Sequence, residues 1–293
     1  MGIKNVIICG LGALGLTYAN KLKDVCNLKI LADSNRIEKY RNNPPNLNGK
    51  IIDLEYILPT EKWNADLIIV STKAIGLDSA IEYLKNFVSE KTIIISLING
   101  ISSEEKIAHV ISKGKVLKSY FIGHSAMRND NSVLQDGVGK IVLESNQDLE
   151  EFFSKNNIDF EICHNIKYSM WIKLGVNIVL NQLSAISKMT VGELRNQKYF
   201  YSLAKNLLSE VKSIADAVGI KNIENYESEV LEAIKLIADD GKTSMLQDVL
   251  AKRKTEVDIF SGEIIRLGVL YKIKTPYNKD IYNKIKLIER DFS

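Results

Sequence analysis

The chain has 293 residues, 45% of them hydrophobic, which is long enough for two domains with separate cores and too long for one small module. Its 39 basic and 36 acidic residues nearly cancel to a net +3, so no strong field draws nucleic acid or an anionic membrane, and a small-molecule partner is the default. Cys9, Cys26 and Cys163 show no Cys-x-x-Cys spacing and His109, His124 and His164 form no metal-ligand pattern, which argues for a reducing compartment and against a structural metal.

The first residues lead straight into a short apolar strand, and no apolar run reaches the ~18 residues a membrane helix needs. Val6 stands where a myristoylation signal wants Ser or Thr, so the expected location is the cytoplasm. Continuous Val/Ile/Leu runs at Asn5 to Cys9, Leu28 to Ala32, Leu67 to Ser71, Thr92 to Leu97 and Val116 to Tyr120 read as strands covered on both faces. Longer amphipathic stretches between them give the rhythm of βαβ units around a parallel sheet. Pro44, Pro45 and Pro59 punctuate the stretch between the second and third strands. A Gly-rich meander from Gly123 to Leu143 leads to a last αβ segment ending near Cys163. Beyond Asn165 the spacing is helical, with Gly219 and Gly241 as helix stops. The expected domains are an α/β dinucleotide-binding domain over 1–165 and an all-α domain over 166–293.

Directly after the first strand comes Gly10-Leu11-Gly12-Ala13-Leu14-Gly15, and a helical stretch comes next. The glycines allow a tight turn, approach of a pyrophosphate to the helix N-terminus, and close helix–strand packing. Asp33, after the second strand, is placed to accept hydrogen bonds from the adenosine ribose and to repel a 2′-phosphate, or simply to cap the next helix. Arg36 three residues on can reach a 2′-phosphate, so the residues leave the choice between NADH and NADPH open. Ser71-Thr72-Lys73 and Asn99-Gly100 lie at carboxyl ends of strands, where open α/β sheets bind ligands. For Lys73 the alternative is a surface cation, and for Asn99 a turn.

In the helical half, Lys173, Asn177 and Asn181 are spaced four apart on the apolar stretch Trp171 to Ala185, so one helical face carries a cation and two amides. A polar ligand would satisfy them; an exposed amphipathic stripe is the alternative. A partly desolvated ammonium suits the proton donation that ketone reduction requires. Further on, Ser244 with Gln247 fits a capping box and Thr255 with Asp258 an N-cap with first-turn acid, leaving Glu256 as a candidate carboxylate partner.

These residues together resemble the ketopantoate reductases, or 2-dehydropantoate 2-reductases, along the whole chain. The resemblance rests on Gly10 to Gly15, Thr72-Lys73, Asn99-Gly100, Trp171 to Asn181, Ser244 to Asp248 and Thr255 to Asp258, in that order. It implies a Rossmann domain joined to a helical domain similar to that of 6-phosphogluconate dehydrogenase. It also implies NADPH-dependent reduction of ketopantoate to pantoate on the route to coenzyme A, with NADH admitted by Asp33. Matched motif by motif, Lys173 is the general acid and Glu256 its partner. Asn177, Asn181 and Ser244 bind substrate, and Lys73 and Asn99 contact the cofactor. Asp33 departs from the basic residue common in NADPH-using members, Gln182 from a usual Pro, and Ile98 from a frequent His. A homodimer is compatible with the sequence. The competing readings are a reductase of another small 2-keto acid and a dinucleotide sensor without turnover, which would lack the polar stripe or Glu256.

Overall fold

Val6, Ile7 and Ile8 of β1 (Asn5–Cys9) and all four residues of β6 (Leu67–Val70) are fully buried, as strands sandwiched between helices must be. The computed structural model describes residues 2–123, 127–135, 137 and 139–292, and divides the chain into two compact units, Met1–Ile166 and Lys167–Ser293. His124 lies outside the described residues. In the first unit β1 is followed by α1 (Ala13–Leu22), β2 (Asn27–Leu31), α2 (Ser34–Asn42) and the short strands β3 (Asn46–Leu47), β4 (Lys50–Ile51) and β5 (Tyr56–Ile57). Then come β6, α3 (Leu77–Leu84), β7 (Ile93–Ser96), α4 (Ser103–Val110) and β8 (Lys115–Leu117). The main sheet has the order β5-β2-β1-β6-β7-β8, with every pairing parallel. The chain winds outward from β1 to β5 and resumes on the other side at β6, so the order reverses between β1 and β6. That reversal is where doubly wound sheets bind ligands. This is the α/β fold read from the sequence.

One strand differs from expectation. The run Val116 to Tyr120 is not continuous: β8 ends at Leu117, and β9 (Ser119–Gly123) leaves the main sheet to pair with β12 (Gly139–Leu143), which also pairs with β13 (Phe160–Ile162). A side chain causes the break. Ser119 Oγ accepts from Ser96 N at 3.1 Å and donates to Ser96 O at 2.8 Å, taking the place of a backbone partner on β7. The meander also contains β10 (Met127–Asn129) and β11 (Ser132–Leu134), and α5 (Gln147–Lys155) precedes β13.

Beside this crossing lies a buried carboxyl. Glu104 accepts from Ser103 Oγ at 2.8 Å and from Ser119 N at 3.3 Å, and burial raises its pKa above the ordinary 4.5. A carboxyl that holds its proton more tightly when folded contributes stability that is full below pH 4.5 and is lost as pH rises through the folded value. Glu104→Gln is therefore expected to raise Tm at pH 8 and to leave it unchanged at pH 4. An equal shift at both pH values would mean that packing and not ionisation is responsible.

The second unit is helical: α6 (Ile166–Val176), a π turn over Asn177–Asn181, α7 (Gln182–Ser187), α8 (Val191–Arg195), α9 (Phe200–Ala217) and α10 (Tyr226–Lys235). It continues with α11 (Ser244–Leu250), a 3-10 turn over Val257–Ile259, α12 (Ser261–Tyr271) and α13 (Pro276–Arg290). Leu207, Leu208 and Val211 of α9, Val230 of α10, Ile264 of α12 and Ile285 of α13 are fully buried in its core. Gly219, at φ +85, ends α9 as expected. Gly241 does not cap a helix. It lies well past Lys235, and its N–H and carbonyl bond Ala238 O and Val191 N. Among the described residues no helix is long and apolar enough to cross a membrane.

Candidate active site

The turn after β1 is built by exclusion of side chains. Gly10 has φ +103, and a Cβ there would lie 2.7 Å from Thr72 N. A Cβ on Gly15 would run into the Gly10 carbonyl and come within 2.6 Å of Ser71 Oγ, so α1 can sit this close to the strand end only without one. Ser71 closes the clasp, its hydroxyl donating to Gly10 O at 2.7 Å. Gly12 is the N-cap of α1 and supplies no side-chain acceptor, so the first-turn N–H groups are left for an anion. Thr72 Oγ1, at the carboxyl end of β6, is buried with no hydrogen-bond partner. A glycine cradle and an orphaned hydroxyl at the strand-order reversal fit a dinucleotide pyrophosphate. Leu11 is buried, and Ala13 and Leu14 are half-buried beside it. Cys9 ends β1 just before the turn; burial pushes its thiol up to about 12, so it stays protonated and inert.

Asp33 does cap α2, accepting from Arg36 N at 2.8 Å. The Arg36 guanidinium folds back on the same carboxylate, with Nε 3.7 Å from Oδ2. The capping role of Asp33 is thus observed, with a cation over its outer oxygen. Lys73 is exposed after β6, leading a single 3-10 turn. Asn99 is half-buried in the bend after β7, where Gly100 adopts φ +98. The turn that Asn99-Gly100 signalled is present, and it sets the Asn99 amide at a carboxyl strand end.

In the second unit the polar stripe is real, but the helix carrying it is not regular. Lys173 is half-buried in α6, while Asn177 and Asn181 bound the π turn, not the continuous α-helix their spacing predicts. Gly175 lets α6 pack closely: a Cβ there would lie 2.5 Å from Tyr226 Oη. That hydroxyl donates to Trp171 O at 2.8 Å. Asn181 Nδ2 donates to Asn177 Oδ1 at 2.9 Å, and Asn181 Oδ1 accepts from Ser244 Oγ at 3.0 Å and Met245 N at 3.1 Å. Asn177 Nδ2 is buried and makes no hydrogen bond. Three sequence-read residues thus meet in one hydrogen-bonded row that ends in an unused donor, the arrangement a ligand oxygen would complete.

Two capping expectations are corrected. Ser244 is not an N-cap: Thr243 caps α11, accepting from Leu246 N at 3.2 Å, because the Ser244 hydroxyl is committed to Asn181. Nor does an α-helix start at Thr255. Phe260, at φ −103 and ψ −102, interrupts the chain, so Glu256 leads one 3-10 turn and α12 starts at Ser261. The half-buried Glu256 is held from both sides instead. Thr255 N and Oγ1 donate to Glu289 Oε1 at 2.8 and 2.6 Å, Val257 is fully buried, and Asp258 accepts from Tyr282 Oη and Lys286 Nζ, each at 2.8 Å. Sequence reasoning noted Gln182 only as a departure from a usual Pro and missed it as a structural partner of this site; an amide within an apolar helical stretch, fully buried in the fold, was the further signal.

A parallel sheet with a glycine cradle at its order reversal, and a helical unit bearing a lysine and paired amides, are the parts that an NAD(P)H-dependent oxidoreductase requires. A family model described as Ketopantoate reductase PanE/ApbA matches residues 6–148, and one described as Ketopantoate reductase PanE/ApbA C terminal matches residues 165–289. The chain belongs to this family. It is 26% identical over 287 residues to a 2-dehydropantoate 2-reductase of Streptococcus pyogenes, covering 93% of this chain and 94% of that one. Among solved structures, D-mandelate dehydrogenase with NADH and anilino(oxo)acetate superposes with a TM-score of 0.85 at 21% identity, over 98% of this chain and 99% of that one. A PanE/ApbA family ketopantoate reductase from Ralstonia eutropha superposes with a TM-score of 0.82 at 22% identity, over 98% and 99%.

Proposed function

We propose that the protein reduces 2-dehydropantoate to pantoate with NADPH. The observation that carries this reading is the row Ser244–Asn181–Asn177 ending in an unused buried donor, one turn beyond Lys173. The dinucleotide, when bound, supplies the hydride for the carbonyl carbon of the substrate. Every other task falls to the chain. Asn177, Asn181 and Ser244 hold the substrate oxygens. The Lys173 ammonium polarises the carbonyl and gives its proton to the alkoxide oxygen as charge develops there. Glu256 is assigned as the carboxylate that orients Lys173. Gly10, Leu11, Gly12, Ala13, Leu14 and Gly15 form the pyrophosphate turn, and Lys73 and Asn99 are assigned to the cofactor. The corresponding experiment gives the purified protein NADPH and then NADH, with 2-dehydropantoate and a panel of 2-keto acids, and follows loss of the reduced cofactor. The highest kcat/KM is expected for 2-dehydropantoate with NADPH. The likeness to D-mandelate dehydrogenase supports a second reading, a bulkier 2-keto acid reduced with NADH, and a maximum there would replace the first.

Cofactor choice turns on Asp33. An uncompensated carboxylate ~4 Å from a 2′-phosphate would repel it by about 4 kcal/mol at an effective protein dielectric near ~20, enough to reverse the preference. Arg36 over Asp33 offsets that charge and offers its outer N–H groups to the phosphate. Asp33→Asn is therefore expected to change kcat/KM for NADPH by less than about threefold. A rise beyond about tenfold would show that the carboxylate governs and that NADH is the natural cofactor.

A further inference from the structure

The π turn that carries the two amides needs a support that a regular helix does not. In an α-helix the Ile178 carbonyl accepts from the backbone N–H of residue 182. Here that N–H turns to Val179 O, and the Gln182 side chain reaches back instead, Nε2 donating to Ile178 O at 2.9 Å. The same amide clasps α12: Nε2 donates to Ser261 Oγ at 2.8 Å, and Oε1 accepts from Ser261 N at 3.3 Å. Ser261 Oγ in turn donates to Asn278 Oδ1 at 2.8 Å, and Asn278 Nδ2 donates to Glu210 Oε2, also at 2.8 Å. Glu210 is further held by Tyr277 N and Asn278 N, at 2.7 and 2.9 Å. Gln182, Ser261 and Asn278 are fully buried, so this row ties α7 through α12 and α13 to α9 out of reach of water.

We propose that Gln182 is a positioning residue for the substrate amides. The role rests on the assignment of Asn177 and Asn181 to the substrate, and it acts through helix register. A π turn holds one residue more than an α turn and is a rare, strained form in isolation. Relaxation to an α-helix would rotate α7 by about 100° relative to α6, the angle of one residue. Asn181 would keep its neighbour Asn177, four residues away on the same face, but would lose Ser244 and Met245 together. Packing alone does not call for an amide here, since an apolar side chain fills such a site without desolvation cost. A fully satisfied polar bracket specifies one register, which is what a paired donor row requires.

Steady-state kinetics with 2-dehydropantoate and NADPH test this on Gln182→Leu, which keeps the volume and removes both bonds. The expected result is a keto acid KM raised about tenfold, a smaller fall in kcat, and a dinucleotide KM within about twofold of wild type. Because Gln182 acts through Asn181, the double variant Asn181→Ala/Gln182→Leu should show the KM of Asn181→Ala alone. An unchanged KM in Gln182→Leu, or KM effects that multiply in the double variant, overturns the positioning role while leaving the substrate assignment standing. An Asn181→Ala variant with wild-type KM removes the substrate assignment itself, and the positioning role with it. Should Gln182→Leu fail to fold, Ser261→Ala reads the same bracket from its far side. There a KM rise of about threefold is expected, and no rise overturns the proposal.

Discussion

Lys173→Ala is expected to lower kcat by at least ~100-fold while the dinucleotide Kd stays within about twofold, the range for loss of a positioned general acid. Lys173 lies near the end of an apolar helix, half-buried, one turn before the amide pair, and belongs to a different compact unit from the glycine cradle. Truncating it removes the proton without touching the pyrophosphate turn. Lys173→Arg sharpens the test, because a guanidinium keeps the charge but does not release its proton at neutral pH. If electrostatic polarisation alone sufficed, Arg would restore most of the rate; the proton-transfer role expects it to remain slow. Near-normal turnover in the Ala variant would remove Lys173 from the mechanism.

The second large effect is expected at Gly15. An alanine Cβ there collides with the Gly10 carbonyl and crowds Ser71 Oγ, and backbone on one side cannot yield, so α1 must lift from the end of β1. The dinucleotide Kd should rise about 100-fold, roughly 2.7 kcal/mol, as read by titration of cofactor fluorescence. Gly12→Ala is the informative companion. Its Cβ would meet only Ser71 O, at an ordinary 3.6 Å, so the fold tolerates it while the side chain obstructs an approaching pyrophosphate. An unchanged Tm with weakened binding at Gly12, beside lost binding at Gly15, would separate steric access from helix placement. Retention of wild-type affinity by both variants would mean that this turn does not hold the cofactor.

The glycine turn and the polar row were unequally legible in the sequence. Gly10, Gly12 and Gly15 carry their geometry in their own lack of a side chain, so strand, glycines and helix in order suffice to place them. The stripe Lys173, Asn177 and Asn181 was legible as a set, because spacing by four survives a local change of helix type. The π turn was not, since what supports it is Ser261, 79 residues away in sequence. The same limit explains the caps. Thr243 and Ser244 both satisfy the local rule for starting a helix, and only the contact of Ser244 with Asn181 decides between them. At Val116 to Tyr120 only Lys118 and Ser119 interrupt the apolar residues, which does not by itself end a strand, and the break is made by the Ser119 hydroxyl that reaches a neighbouring strand.

The order of the main sheet also bears on how the protein is made. β1 lies in the middle of that sheet, yet Val6 pairs with Leu67 on one side and Leu28 on the other, so its second edge stays open until several later elements have emerged from the ribosome. During that interval a strand apolar from Val6 to Cys9 presents bare N–H and C=O groups, the condition under which nascent chains pair with one another. The helices of the second unit close their backbone hydrogen bonds within themselves, so none waits with a bare edge, although α9 packs on the late α12 and α13 and α7 on α13. Slow refolding from denaturant, with loss to aggregates that grows with concentration, should therefore be a property of residues 1–166, and chaperone dependence should follow the strand order and not the helical unit.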